Sequence, residues 1–564
     1  MRTLLKNATV VNVFTGETVP ENVLIEGETI IGVGDYTDVD ADLVQDESGR
    51  YICPGFIDGH IHIESSMLLP AEFARVSVPH GTTCVVTDPH EIANVCGAAG
   101  IEFMLAASED LPLTMYVMLP SCVPATAFDE TGAMLEAKDL EPFYTHPRVL
   151  GLAEMMDYPG VLAEKPEIMA KIAAAHAHGR RINGHAPLLS GRALDRYIAA
   201  GIGDDHECSS AAEAMERIRK GQRVMIRQGT AARNLDALLP LFEEPWASRC
   251  LLVTDDKHPA DLLDSGHIDA IIRRAAAAGN NPVTGIRMAT LWAAEYFGLK
   301  GIGAVAPGYT ADLLVLETLD TVAVRDVYRR GVRVVENGRL SALPVPEVPA
   351  ALQAAVRSTF ALDTLTPVDF LIHAKGRRAC RVIRQVRGEL LTEEWVTEID
   401  FSRDNGIDTG RDILKLAVIE RHRHTGHRGL GFITGTGLKC GAIASSVAHD
   451  AHNLIVIGTN EADMAAAANR IRVLGGGCVV VRDGEVAAEM PLPIAGLMSD
   501  HPAAVVAHQN WQLREAVQAM GVSPDNEPFM RMAFVSLPVI PHLKMTTRGL
   551  VDVDRQVHVS LFAE

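Results

Sequence analysis

The sequence predicts an α/β protein: a (β/α)8 TIM-type barrel, a small β-sandwich domain built from both flanks of the barrel, and a further α/β or α+β domain at the C-terminus. Three observations predict it. Residues 1–53 and 300–340 share a strand-rich texture, and residues 54–299 alternate eight apolar β-type runs with helical patterns. A proline-rich stretch, ALPVPEVPAALQ, then sets off residues 341–564. A chain of 564 residues exceeds the roughly 250–300 at which a single core stops growing, so several domains are expected.

In the first flank, LLKNATVVNV, ENVLIEG and TIIGVG read as short strands punctuated by Gly16, Gly27 and Gly34. The texture returns in GYTADLLVLE, VAVRDVYRRG and VRVVENG. Between the flanks, the eight runs are 51–62, 82–88, 113–119, 149–155, 181–185, 202–206, 223–227 and 251–255. Helical patterns such as PEIMAKIAAAHAHG, GRALDRYIAAG, AAEAMERIRKG, NLDALLPLFEE and HIDAIIRRAAAAG separate most of them, and several stop at glycine. Only the segment after the third run is poorly helical. Such alternation implies a parallel sheet, and eight units in about 250 residues fit a closed barrel. An open doubly wound sheet is the alternative, but the first βα turn, GHIHIESS, lacks the G-x-G-x-x-G fingerprint. In the last region GLGFITG, NLIVIG and GCVVVRDG read as strands, with the helix ADMAAAANRIRVLGG between the last two. Pattern alone assigns that region no function.

Composition narrows the partners. A net charge of −21 disfavours nucleic acid and anionic lipid. No apolar run approaches the ~20 residues that span a bilayer. The N-terminus does not read as a signal peptide, because Lys6 and Asn7 break its apolar stretch and strand-like alternation follows. Nine scattered cysteines without a C-x-x-C pair suggest reduced thiols in a cytoplasmic protein. A homodimer or higher homo-oligomer is the prior expectation.

Barrel active sites lie at the C-terminal ends of the strands. The first run ends in GHIH, whose His60 and His62 project to the same side of a strand. The fourth run ends with Glu154, the fifth with His185, the sixth with His206 and the eighth with Asp255. Each alone could be an ordinary hydrogen-bonded polar residue. Histidine or acid at five of eight strand ends, in one register, points instead to metal ligation. Four imidazoles and two carboxylates exceed the needs of one tetrahedral site, and a carboxylate can bridge. The set predicts two divalent ions, Mn2+ or Fe2+ with Zn2+ as the other choice, activating water. The choice between Asp255 and Asp256 stays open.

PGFIDGHIH resembles the first-strand motif of the amidohydrolase superfamily, and His185 in NGHAP, His206 in DDHE and Asp255 in TDDKHP match its later landmarks. The longer strings HIESSMLLPAEFARVSVPHGTTCVVTDPHEIANVCG, VTDDKHPADLL, SSVAHDAHNLIVIG and LPVIPHLKMTTRGLVDV are similar to the adenine deaminase family, over nearly the whole chain. That resemblance implies hydrolysis of adenine to hypoxanthine and ammonia in purine salvage or catabolism. Many superfamily members bridge their metals with a carboxylated lysine after the fourth strand. Here Glu154 in GLAEMMD holds that position and Lys165 lies well beyond it, so Glu154 is taken as the bridge, with no dependence on CO2. Near Arg227, MIRQGTAARN departs from the expected REGS-like text at Gln228 and Thr230.

The implied mechanism has a hydroxide held by the metals attack ring carbon C6. Asp255 takes its proton and passes it to the departing amine. Glu207 is the candidate for delivery to ring N1, although alternation against His206 also suits a solvent-facing or salt-bridged carboxylate. His90, Glu64, Ser65, Ser66, Asp88, Asp256 and His258 are further candidates for metal or substrate; Ser65 and Ser66 could instead cap a helix. In RHRHTGHRG and AHDAHN, His422, His424, His427, His449 and His452 could form a separate metal site. A lid or interface role for His449, Asp450, His452 and Asn453 is favoured. Two other readings remain: a cyclic-amide hydrolase of hydantoinase or dihydroorotase type, and a non-catalytic scaffold on a retired barrel.

Overall fold

The computed structural model describes residues 1–230, 232–386 and 391–563. Both flanks join one nine-stranded sheet. Arg2–Asn12 pairs antiparallel with Glu17–Glu26, and on its other side with Tyr51–Pro54. Tyr51–Pro54 in turn pairs with Leu313–Leu316, placing Cys53 opposite Leu314. The expected sandwich is therefore, by hydrogen bonding, one continuous sheet. Leu5, Val10, Ile25, Ile52, Leu313 and Tyr328 fill one of its faces.

The expected run 51–62 is divided. Tyr51–Pro54 stays in the flank sheet and Phe56–Ile61 becomes the first barrel strand. Gly55 marks the crossing: a Cβ there would meet the Thr83 hydroxyl oxygen at 2.2 Å. The barrel continues with Thr82–Thr87, Thr114–Leu119, Val149–Met155, Arg181–Gly184, Asp204–Asp205, Arg223–Arg227 and Cys250–Val253. The first five strands form one parallel sheet and the last three another. Hydrogen bonds close the ring at both seams. Asp255 N–H donates to His60 O at 3.0 Å, and Gly203 N–H donates to Ile182 O at 3.0 Å. The sixth strand is shorter than the run 202–206, its pairing with the seventh covering only Asp204 and Asp205, and on its other side the Asp204 carboxylate accepts Gly184 N–H at 2.9 Å.

Helices pack outside the strands by the usual apolar stripe. In Pro166–Ala177 the buried Ile168, Ile172 and Ala175 recur every three or four residues. NLDALLPLFEE yields only the turn Leu235–Leu238 and a 3-10 turn, since Pro240 removes a backbone donor.

The proline-rich stretch is partly helical, as Ala350–Arg357. Beyond it an eight-stranded sheet is antiparallel except where Arg377–Gln385 runs parallel to Arg428–Thr434. Helix Glu461–Leu474 covers it through Met464, Ala467, Ala468 and Ile471, an α+β arrangement. This unit sits on the barrel. Ser499 N–H donates to Met67 O at 2.9 Å, and Asn453 Nδ2 to Glu130 O at 2.8 Å. Among the described residues no helix is long and apolar enough to cross a membrane.

Candidate metal centre and active site

The six strand-end residues meet at one rim of the barrel, around Glu154. Its Oε1 lies 3.1 Å from His62 Nε2 and 3.9 Å from His60 Nε2. Its Oε2 lies 2.7 Å from His185 Nδ1 and 3.2 Å from His206 Nε2. One carboxylate thus offers one oxygen to each pair of imidazoles. Asp255 Oδ1 adds contacts of 3.1 Å to His62 Nε2 and 3.4 Å to His60 Nε2. The candidate ligand atoms of His60, His62 and Asp255 lie within 4.8 Å of one another, as do those of His60, Glu154 and His206.

The donor set fits divalent cations. His60 Nε2 is buried and without a hydrogen-bond partner among the described residues, although two carboxylates face it. His62 donates from Nδ1 to the Asp88 carbonyl at 3.0 Å, which fixes the ring with Nε2 towards the site. Burial would lower the pKa of His62, but the Asp255 and Glu154 carboxylates outweigh it and hold the group well above its usual range. Burial likewise opposes ionisation of Asp255, yet Arg227, His60 and His62 hold that carboxyl well below its usual range. The pocket therefore stabilises positive charge at its centre. Asp255 itself has φ +58°, a sparsely populated conformation for a non-glycine residue.

Arg227, not assigned a role from the sequence, anchors two carboxylates. Its guanidinium reaches Asp255 Oδ2 at 2.8 Å and takes both oxygens of Glu207. Glu207 Oε1 is 3.4 Å from His206 Nε2 and 3.6 Å from His185 Nδ1. Against burial, Arg227 and His185 push the Glu207 pKa far down. A carboxylate so held accepts hydrogen bonds, and it must first be loaded with a proton before it can deliver one.

The remaining candidates divide. His90 Nδ1 lies 2.9 Å from Asp88 Oδ2 and 3.6 Å from Glu154 Oε1, beside the centre. Glu64 is buried and accepts Ile92 N–H; burial pushes its pKa up to about 7. Ser65 donates to Asp256, while Ser66 bonds the Ile63 carbonyl and caps no helix. His258 is tied through its N–H to Thr230, and Thr230 donates to Asp261; the neighbouring Ala231 lies outside the described residues. His422, His424 and His427 do not converge. They contact the Ala451 carbonyl, Asp363 and Glu130 respectively.

His449, Asp450, His452 and Asn453 are buried against the barrel mouth. Asp450 Oδ1 is 3.8 Å from His90 Nε2. His449 and His452 both contact Glu91, a residue the sequence reading passed over although it adjoins His90. Burial lowers the pKa of His452 to about 4, whereas for His449 the charge of Glu91 overcomes burial and raises it to about 9. A narrow cavity runs between the units, bounded by Ser65, Asp256 and His258 on the barrel side and by His449, Phe529 and Met530 opposite.

Comparison with known proteins agrees over the same span. Residues 51–334 match the model of the Amidohydrolase family, and residues 389–557 match that of the Adenine deaminase C-terminal domain. Adenine deaminase 2 of Carboxydothermus hydrogenoformans is 48% identical over 98% of this chain and 95% of its own length. The adenine deaminase of Desulfatibacillum aliphaticivorans is 46% identical over 99% and 97%, and that of Kosmotoga olearia 44% identical over 99% and 96%. With a shared catalytic barrel and a matching C-terminal unit, the chain belongs to the adenine deaminase family of amidohydrolases.

Proposed function

We propose that the protein hydrolyses adenine to hypoxanthine and ammonia. The observation that carries this reading is the near full-length similarity to adenine deaminases, at 48% identity for one of them, in a chain whose imidazoles and carboxylates meet at one barrel rim. His60, His62, Glu154, His185, His206 and Asp255 would hold two divalent cations, with Glu154 between them; mixed nitrogen and carboxylate ligands suit Mn2+ or Fe2+, and also Zn2+. When bound, the cations supply Lewis acidity that brings the pKa of water towards neutrality.

The protein's own groups manage the protons. Asp255, kept ionised beside Arg227, accepts a proton from the attacking water as the C6–O bond forms. It returns that proton to the exocyclic nitrogen as the C6–N bond breaks and ammonia leaves. Glu207 stands beside His185 and His206 to address ring N1, its loading opposed by Arg227. The packed C-terminal unit limits water at the rim. The nine free cysteines suit a reducing compartment, and we assign the enzyme to the cytoplasm.

An ammonia-release assay over adenine, adenosine and guanine, with hydantoin and dihydroorotate as ring-opening controls and metal analysis on the same sample, tests the proposal. Adenine should be the preferred substrate. Fully metallated protein that leaves adenine untouched would overturn it.

A further inference from the structure

We propose that His449, supplied by the C-terminal unit, hydrogen-bonds a ring nitrogen of the bound purine, with Glu91 and His452 as its positioning residues. The inference rests on the adenine reading above and deepens it.

Glu91 lies in the first turn of the helix His90–Cys96 that follows the second barrel strand, and it uses both carboxylate oxygens on the C-terminal unit. Oε1 lies 2.5 Å from His449 Nδ1, and Oε2 accepts from His452 Nε2. The protonation of His452 follows from its other contact. Ala448 N–H donates to His452 Nδ1 at 3.2 Å, so that nitrogen is the acceptor and Nε2 carries the proton. A cation on these three residues would need His452 Nε2 stripped of its proton while Nδ1 still accepts from a backbone amide. That amounts to an imidazolate, so the trio is a hydrogen-bonded clamp and not a third metal site.

The clamp locks His449 from three sides. Its ring stacks on Phe534 with centroids 4.4 Å apart and planes 17° from parallel. Its backbone N–H donates to Ala533 O at 2.8 Å. Its Nδ1 is held by Glu91. Nε2 has no protein partner among the described residues, and His449 lines the narrow cavity with Ser65, Asp256 and Phe529. Asp256 directly follows Asp255, which places that cavity beside the rim. With the Glu91 carboxylate 2.5 Å from Nδ1 and its charge raising the pKa to about 9, His449 is an imidazolium that presents Nε2–H as a donor, and a purine ring nitrogen is the complementary acceptor.

The test compares adenine with 3-deazaadenine and 7-deazaadenine on the metallated wild type, then on His449→Ala and His449→Gln. One deaza analogue should bind the wild type about tenfold to a hundredfold more weakly than adenine, the loss expected for a hydrogen bond to a charged donor. His449→Ala should raise KM for adenine by a similar factor with a smaller change in kcat, should erase the discrimination between adenine and that analogue, and should retain two metals. His449→Gln, which keeps an N–H donor, should recover part of the affinity. Equal binding of both analogues by the wild type overturns the proposal even if His449→Ala fails to fold. So does an unchanged KM in folded His449→Ala, or a third tightly bound metal lost on its substitution. A wild type that releases no ammonia from adenine sinks the functional reading itself, a separable outcome.

Discussion

Arg227 Nη1 lies 2.8 Å from Asp255 Oδ2, and the same guanidinium holds Glu207. One side chain thereby ties the ends of the sixth, seventh and eighth barrel strands. A lysine would keep the charge but lose the planar fork that engages two carboxylates at once. Arg227→Lys should lower kcat by about 10- to 100-fold through misplaced carboxylates, with metal content retained. Steady-state kinetics beside metal analysis would decide it; wild-type kcat would mean that the fork positions nothing.

Asp255 is the proposed proton carrier, and asparagine matches its shape without its basicity. Asp255→Asn should lower kcat by about 10²- to 10⁴-fold while circular dichroism stays that of the wild type. A variant that turns over adenine at full rate would move the proton chemistry elsewhere.

Glu154 stands where a carboxylated lysine would need CO2. Activity should be the same in bicarbonate-free and bicarbonate-supplemented buffer, and Glu154→Ala should lose bound metal as well as turnover. Stimulation of the wild type by bicarbonate would contradict the bridging assignment.

Removal of the cations should be reversible. Chelation should abolish ammonia release, and titration with Mn2+, Fe2+ or Zn2+ should restore it at two equivalents per chain. Recovery that saturates at one equivalent would contradict the two-cation site.

Two half-buried histidines outside the proposed ligand set make stability depend on pH. Burial lowers the pKa of His258 to about 4, and burial with the neighbouring Arg421 charge holds that of His422 well below its ordinary value. Both groups take up protons on unfolding once the pH is below about 6.5, their unfolded value. Their contribution is therefore fully present above that pH and is lost as the pH falls towards about 4. The melting temperature should fall between pH 6.5 and 4.5, and His422→Gln should flatten part of that slope. A melting temperature constant over the window would contradict the assignment.

His60 and His62 were legible because a strand puts alternate residues on one face, and Glu154, His185, His206 and Asp255 because each ends an apolar run. The division at Gly55 was not, since Tyr51–Pro54 and Phe56–Ile61 are equally apolar and only their partners differ. Arg227 ends a run too, but no local pattern says that it faces Glu207 and Asp255. Glu91 and His452 are 361 residues apart in the chain, and Phe534 reads as any core aromatic until His449 lies on it.

By itself, the sequence determined that eight strand–helix units form a barrel and which side chains reach its rim. Those properties follow from periodicity within a few residues, where backbone geometry dictates the direction of each side chain. Only the tertiary structure decided that the C-terminal unit covers that rim, that one arginine serves two carboxylates, and that Glu91 clamps two distant histidines. Such contacts depend on how separately folded layers pack, and packing is a property of shapes brought together from far along the chain.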